Sequence, residues 1–250
     1  METHLVLLPS YNTGRRLFDT VTEVRRHWQP VWVVIDGSTD GTGEELVECG
    51  RRDAGLRVFV RNRNGGKGAA LFDGLRRAWA LGFTHALVMD ADGQHPAASI
   101  PQFIGVSRQN QDAMILGVPV FDRDAPRLRV LGRCVSNALA RLETRGAIAD
   151  SLFGFRVYPL SVLLSVMNAA SSMRGYDFDL EAAVRLCWRG VRTINLPAPV
   201  RYLSAAAGGV SHFRYGRDNL LLATAHARLM AECLLRLPRL TARRVRSLRH

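Results

Sequence analysis

The sequence predicts an α/β fold, with a mostly parallel central sheet flanked by helices and an amphipathic helix at the C-terminus. Three observations lead to it. Short β-rich runs alternate with segments of helical periodicity through the first two-thirds of the chain. Four of those runs end in polar or glycine-containing turns. Near the C-terminus, a single polar stripe marks an otherwise apolar helix.

In chain order the strands are HLVLLP (4–9), VWVVID (31–36), LRVFV (56–60), THALVMD (84–90) and AMILG (113–117). Between them, RRLFDTVTEVRRHW, GTGEELVECGRRD, GAALFDGLRRAWALG and AASIPQFIGVSRQN place apolar residues at helical spacing. Strands joined by helices pair in parallel with helices on both faces, and such a sheet binds ligands at the carboxyl ends of its strands.

Beyond residue 118 the alternation stops. VPVFDRDAPR leads into a helix over RLRVLGRCVSNALARLE. DSLFGFRVYP reads as extended, YDFDLEAAVRLCWRG as a helix, VRTINLPAPVRYL as extended and SAAAGGVSHFRYG as a loop. The last helix is expected from about Asp218 to Leu237, ended by Pro238, which has no N–H to donate. On it Arg228, Glu232 and Arg236 form the polar stripe, and Leu222, Leu229, Met230, Cys233, Leu234 and Leu237 make up the rest. That pattern serves either packing on the core or an interfacial helix.

Hydrophobic residues make up 47% of the chain and charged residues 22%, an ordinary soluble composition, and no apolar run has the length of a membrane span. METHLVLLPS has neither a basic n-region nor a small-residue cleavage site, so no signal peptide is expected. Cys49, Cys134, Cys187 and Cys233 are scattered without a CxxC pair, which argues for reduced thiols in a cytoplasmic protein. The net charge of +12 is uneven: from 236 to 250 there are six arginines (Arg236, Arg239, Arg243, Arg244, Arg246, Arg249) and no acid. A tail of this kind seeks a polyanion or frays in solvent. It lacks interleaved aromatics and no nucleic-acid motif appears, which leaves an anionic membrane surface as the expected partner.

Four strand ends carry the chemistry: PSYN (9–12), DGSTDGT (36–42), NRNGGKGAA (62–70) and DADGQHP (90–96). In DADGQHP, Asp90 and Asp92 at i, i+2 can face one divalent cation, and Gln94 can add an amide oxygen; hard Mg²⁺ or Mn²⁺ prefers such ligands. An Asp-rich turn before Pro96 is the plainer alternative. Asp36 ends a buried strand, where a carboxylate needs a donor, either a ligand N–H or hydroxyl or the backbone of its own turn. Asp40 or Thr42 is placed to cap the helix that follows. Lys67, the only lysine in the chain, sits in a glycine loop that is not a Walker loop. It lacks the leading glycine and the Ser or Thr after the lysine, and it follows the third strand.

Taken in this order and spacing, PSYN, DGSTDGT, N-x-GGKGAA and DADGQHP resemble the donor half of family 2 glycosyltransferases, in particular the dolichyl- and polyprenyl-phosphate sugar synthase branch. Downstream, DSLFGFR (150–156) is similar to that branch's D-x-x-x-GFR segment, GYDFDLE (175–181) to its acidic helix, and LPAPVRY with GGVSHFRYGRDN to its C-terminal signature. The resemblance covers about residues 4 to 219. It implies a GT-A fold, with a single domain over 1–217 (donor half 1–117, acceptor half 118–217) ahead of the helix and tail at 218–250.

It also implies inverting transfer of a sugar from a nucleoside diphosphate sugar. Pro9 and Tyr11 would flank the base, Asp36 would hydrogen-bond it, and Lys67 would lie near the nucleotide. Asp90 would face the ribose or the metal, and Asp92 with Gln94 would bind Mg²⁺ or Mn²⁺ and its diphosphate. Two positions depart from the pattern. Ile35 replaces the first of two adjacent acids. Val118 and Pro119 follow Gly117 where relatives often carry a basic residue, so Arg127, Arg129, Arg133 and Arg156 are the candidates to hold an acceptor phosphate.

The acceptor decides the chemistry. A lipid phosphate is already anionic and needs arginines but no base. A hydroxyl needs a carboxylate to take its proton. Asp177, Asp179 and Glu181 are the candidate bases; on a helix 177 and 181 share a face that 179 does not, so they cannot all serve, and Asp177 or Asp179 is favoured. Pairing with Arg156, Arg174 or Arg185 would instead make these acids structural. Of the histidines, His212 and His95 can reach the diphosphate or metal, with His212 favoured because C-terminal loops of GT-A enzymes close over that group. The expectation is a metal-dependent enzyme, peripheral on the cytoplasmic face of a membrane, that acts on a lipid-linked acceptor; a soluble or carrier-bound hydroxyl acceptor, or a non-catalytic nucleotide-sugar binder, is the alternative.

Overall fold

The computed structural model describes residues 3–121, 127–170, 172–200 and 215–247; side chains are described throughout these except at 127–130, 215 and 237–247. Seven strands form one sheet: β1 (His4–Ser10), β2 (Val31–Asp36), β3 (Leu56–Arg61), β4 (His85–Val88), β5 (Ala113–Phe121), β6 (Arg156–Pro159) and β7 (Arg192–Val200). The helices are α1 (Arg16–His27), α2 (Thr42–Arg52), α3 (Lys67–Ala80), α4 (Ile100–Gln109), α5 (Arg127–Thr144), α6 (Leu160–Ala169), α7 (Phe178–Trp188) and α8 (Tyr215–Ser247).

The strand order is β3-β2-β1-β4-β6-β5-β7. All neighbours are parallel except β6, which runs against both β4 and β5. The predicted α/β sheet with helices on both faces is what forms. Successive side chains of a strand point to opposite faces. Leu5 and Leu7 therefore join one buried cluster with α3, α6, α7 and α8, while Val6 and Leu8 join a second with α1, α2 and α4.

The topology positions the site in two ways. The chain runs outward from β1 through β2 to β3, then crosses back to β4 on the other side of β1. Ligand crevices of open α/β sheets lie at such switch points. The reversed β6 starts at the edge where β4 ends, with Arg156 in register with Val88, so residues 150–155 arrive beside the turn after β4.

Two expectations are corrected. The last helix does not stop at Pro238 but runs from Tyr215 to Ser247. A proline removes one intrahelical hydrogen bond, and the leucine- and arginine-rich sequence on either side, all good helix formers, carries the helix past it. Helix α6 was not anticipated, because Leu160, Leu163, Leu164, Val166 and Met167 are buried around much of its circumference and leave no clear polar face to read. No helix among the described residues is long and apolar enough to cross a membrane.

Candidate active site

Asp36 ends β2 fully enclosed. Its carboxylate accepts a hydrogen bond from Arg61 and others from the backbone N–H groups of Gly65 (3.1 Å) and Gly66 (2.8 Å). The loop after β3 is thereby tied to the end of β2, so Asp36 is satisfied by a neighbouring loop and not by its own turn. The other side of the cleft is laced likewise. Asn12, after β1, accepts from Thr39 N–H (2.7 Å), and its own N–H donates to Ser38 Oγ (2.9 Å). Asp40 accepts from Gly14 N–H (3.0 Å), Thr42 N–H (3.2 Å) and Thr42 Oγ1 (2.6 Å), but the N-cap position of α2 is Gly41 and carries no side-chain cap, so neither Asp40 nor Thr42 caps the helix as expected. Pro9 is half-buried at the end of β1 and Tyr11 stands exposed just beyond it.

Lys67 begins α3. Its Nζ lies 2.6 Å from Asp90 Oδ1 and 2.6 Å from Asp179 Oδ2, with 9% of the side chain exposed. Burial alone would lower the ammonium's pKa, but the Asp179 and Asp90 charges outweigh it and hold the group above the ordinary lysine value. Two glycines make room for this arrangement. Gly66 adopts φ +93°, and a Cβ there would lie 2.5 Å from the Arg174 carbonyl oxygen. At Gly154, a Cβ would lie 2.6 Å from Lys67 Nζ and 3.1 Å from Asp90 Oδ2. The glycine of the GFR segment is thus explained by the ion pair it lies against.

Asp90 follows β4, and its side chain remains 34% exposed toward the open edge of the sheet. Burial raises its pKa, but the Lys67 charge and His95 outweigh this and hold it below the usual carboxylate value. His95 Nδ1 accepts the Asp90 N–H at 3.0 Å, and Nε2 lies 3.6 Å from Asp90 Oδ2. A ring that accepts at Nδ1 carries its proton on Nε2 and is neutral. Burial, with Lys67 acting in the same direction, lowers its pKa to about 4 against the pull of Asp90. His95 therefore positions Asp90.

Asp92 accepts the Gln94 N–H at 3.0 Å, and no side-chain cation pairs with it among the described residues. Burial first and the Asp90 charge second push it up to about 7. Two close carboxylates, one of them without a cationic partner, plus the Gln94 amide form a hard-oxygen set that fits Mg²⁺ or Mn²⁺. No cluster of three or more His, Cys, Asp or Glu side chains able to hold a metal occurs among the described residues.

The acids of α7 separate. Asp179 faces Lys67, and its Oδ1 is buried without a hydrogen-bond partner among the described residues. Asp177 accepts the N–H groups of Met173 (3.1 Å) and Gly175 (2.9 Å) and fixes the turn before the helix. Glu181 lies on the opposite face of α7, bonded to Arg185 (2.9 Å), Arg228 and Ser172 (2.8 Å), which is the arginine pairing given as the alternative to a base.

Arg156 sits away from the open cleft. It is fully buried and donates to the carbonyls of Phe153 (2.6 Å), Asp150 (3.2 Å) and Asp179 and to Tyr158 Oη (3.1 Å), so it braces the GFR segment and has no face toward an acceptor. Arg133 is half-buried and held by Asp150 at 2.8 and 2.9 Å, with Asp150 also accepting from Asn137 (3.0 Å) and the N–H of Phe153 (2.8 Å). Arg127 and Arg129 lie on α5 but their side chains are outside the described residues, as is His212 altogether.

The structure thus gathers Lys67, Asp90, Asp92, Gln94 and Asp179 at one edge, beside the loops that carry Asp36, Pro9 and Tyr11. Sequence reasoning missed the role of Asp150 as the anchor of Arg133, and that of Gly154; the GFR glycine was the available signal.

The profile of one protein family, described as Glycosyl transferase family 2, matches residues 5–182. The chain is 27% identical over 204 residues to the undecaprenyl-phosphate mannosyltransferase of Micrococcus luteus, covering 77% of this chain and 81% of that one. It is 28% identical over 199 residues to the polyprenol monophosphomannose synthase of Mycolicibacterium smegmatis, covering 77% and 75%. Among solved structures, it resembles glucosyl-3-phosphoglycerate synthase from Mycobacterium tuberculosis in complex with Mn²⁺, uridine diphosphate and glucosyl-3-phosphoglycerate. The TM-score is 0.65 at 20% identity, over 92% of this chain and 80% of that one, a likeness of fold.

Proposed function

Because the chain belongs to glycosyl transferase family 2, we propose that it transfers a sugar, with inversion, from a nucleoside diphosphate sugar to a lipid-linked phosphate. The observation that carries the acceptor choice is that none of the three acids at the start of α7 is free to act as a base. Asp177 holds a turn, Glu181 is locked among arginines, and Asp179 is paired with Lys67 at 2.6 Å. Asp179 is thus committed to the ammonium of Lys67, whereas a phosphate acceptor needs no proton removed. The two relatives, named for undecaprenyl-phosphate and polyprenol substrates, support the same class.

In this reading residues 1–117 hold the donor and 118–217 the acceptor. Pro9, Tyr11 and the loops tied by Asp36 and Asn12 bound the base and ribose. Asp90, Asp92 and Gln94 would hold a divalent cation, which offsets charge on the diphosphate. Lys67 keeps Asp90 ionised and His95 fixes the backbone from which it projects. An oxygen of the acceptor phosphate attacks the anomeric carbon as the bond from that carbon to the diphosphate breaks, and the electron pair leaves with the nucleoside diphosphate. Arg133, held in place by Asp150, receives the acceptor's charge.

The side of the molecule that meets lipid is the outer face of α5 and α8. Ser136 and Glu143 of α5 meet His226 of α8 across their seam, at 2.8 and 2.9 Å. The core lies to one side of that seam. On the solvent side α5 exposes Leu131, Val135 and Leu142, and α8 exposes Leu220 and Leu234 ahead of the arginine-rich tail. Apolar stripes next to basic residues suit the surface of an anionic leaflet.

The test is a panel of nucleotide sugars with Mg²⁺ or Mn²⁺ scored by thermal shift, followed by transfer from the winning donor to polyprenyl phosphate or polyprenol. Product on the phosphate alone supports the proposal. Product on the alcohol, or transfer undiminished in Asp92→Ala, overturns it.

A further inference from the structure

A second basic crevice lies on the face of α7 turned away from Lys67. It is a cavity of about 300 Å³ between the C-terminal halves of α6 and α7 and the middle of α8. Trp188 is buried in its wall, with the guanidinium carbons of Arg185 and Arg236 at 6.0 and 5.1 Å from its ring centroid. Arg189 and Arg228 complete the basic lining.

Charge is out of balance there. Four guanidiniums face two carboxylates, Glu181 and Glu232, and every carboxylate oxygen is already taken. Glu181 is bound by Arg185, Arg228 and Ser172, and Glu232 by both terminal nitrogens of Arg185 (2.7 and 2.9 Å) and by Arg236 (3.4 Å). Arg189 has no side-chain partner among the described residues, and Arg236 keeps most of its donors free at 45% exposure. Stacking on an indole and clamping by carboxylates restrict guanidinium rotamers before any ligand arrives. Arg236 is held in this way and keeps spare N–H groups at the cavity, and Arg189 adds a guanidinium without a side-chain partner among the described residues; such groups recognise tetrahedral oxyanions through charge-assisted hydrogen bonds.

We propose that this crevice is an anion site, separate from the donor cleft, that takes a phosphate monoester, with Arg189 and Arg236 as its primary ligands and Arg228 as a third. The group comes either from a soluble phosphate or from the headgroup of an anionic lipid. The proposal does not depend on the identity of the sugar donor or of the acceptor.

The experiment uses the full chain in EDTA, so that a cation-dependent donor site contributes nothing, and titrates inorganic phosphate by calorimetry and by fluorescence, with Trp188→Phe to assign the signal. Saturable binding is expected in the parent and in Asp92→Ala. Replacing two charged ligands in Arg189→Gln/Arg236→Gln should weaken it about tenfold or more. Both side chains are exposed, so this variant should fold as the parent does, which its thermal melt checks. A parallel arm measures binding to phosphatidylcholine vesicles doped with phosphatidic acid or, at equal charge, phosphatidylglycerol. Phosphate binding in solution that the double variant loses supports a site for soluble phosphates. Binding confined to phosphatidic acid vesicles, and lost in the variant, supports a headgroup site. Binding that the double variant leaves unchanged in both arms, or no saturable binding in either, overturns the proposal.

Discussion

Replacing Lys67 by methionine should uncouple the site from its internal counter-charge. The side chain keeps its length and loses the ammonium that lies 2.6 Å from both Asp90 and Asp179, where Lys67 is 9% and Asp179 6% exposed. Asp179 already has one oxygen without a partner among the described residues, so no spare donor stands ready to replace the lysine. Removing one partner from a buried ion pair typically costs about 3–5 kcal/mol. In a chain of this size that is a fall in melting temperature of roughly 6–20 °C, at about 2–4 °C per kcal/mol. Asp90 is held below its ordinary value, so its contribution to stability is full above that value, near 3.8, and fades as pH falls through the lower folded one. The deficit of Lys67→Met should therefore be large at pH 7 and shrink as the solution is acidified. Lys67→Met/Asp179→Asn should recover much of it, because the unmatched charge is gone. Mn²⁺ should raise the melting point of Lys67→Met more than that of the parent, since a bound cation supplies what the ammonium did. Calorimetric melts across pH, with and without Mn²⁺, measure all of this. A variant that melts within about 2 °C of the parent at neutral pH would refute the assigned electrostatics, because a shift that small corresponds to only about 1 kcal/mol.

Other expectations follow from the same geometry. His95 has a folded pKa of about 4 and an ordinary value of 6.5, so its contribution to stability is present above 6.5 and is lost as pH falls through 4. The loss amounts to about 3 kcal/mol at 1.36 kcal/mol per pKa unit, and urea unfolding in EDTA should show a gentler acid slope for His95→Asn than for the parent; parallel slopes would count against it. Arg133→Gln should raise the acceptor KM about tenfold or more while leaving the donor KM alone, as expected for loss of a charged hydrogen bond. Arg156→Met should instead lower the melting temperature without that selective KM effect, because the carbonyls of Phe153, Asp150 and Asp179 lose their donor. Deleting residues 238–250 should release the protein from anionic liposomes in cosedimentation, and retention of full binding would remove the tail from the membrane account.

The site was legible in the chain to the extent that its chemistry is local. Asp90, Asp92 and Gln94 fall within one turn, and the alternation of short apolar runs with helical repeats determines both the sheet and the edge at which the candidate residues gather. The glycines around Lys67 likewise announce a close approach of backbone, since only glycine tolerates φ +93° cheaply there. Tertiary structure alone decided what each charge is for. GFR and GYDFDLE show an arginine and three acids, but nothing in their spacing says that Arg156 is walled in by carbonyls, that Glu181 turns to α8, or that Asp179 finds Lys67 112 positions earlier in the chain. A side chain's electrostatic role depends on which partners the fold brings within a few ångströms and on how much water they exclude. Those are properties of the reversed strand β6 and of the packing of α7 against α5, α6 and α8, and no local pattern encodes them.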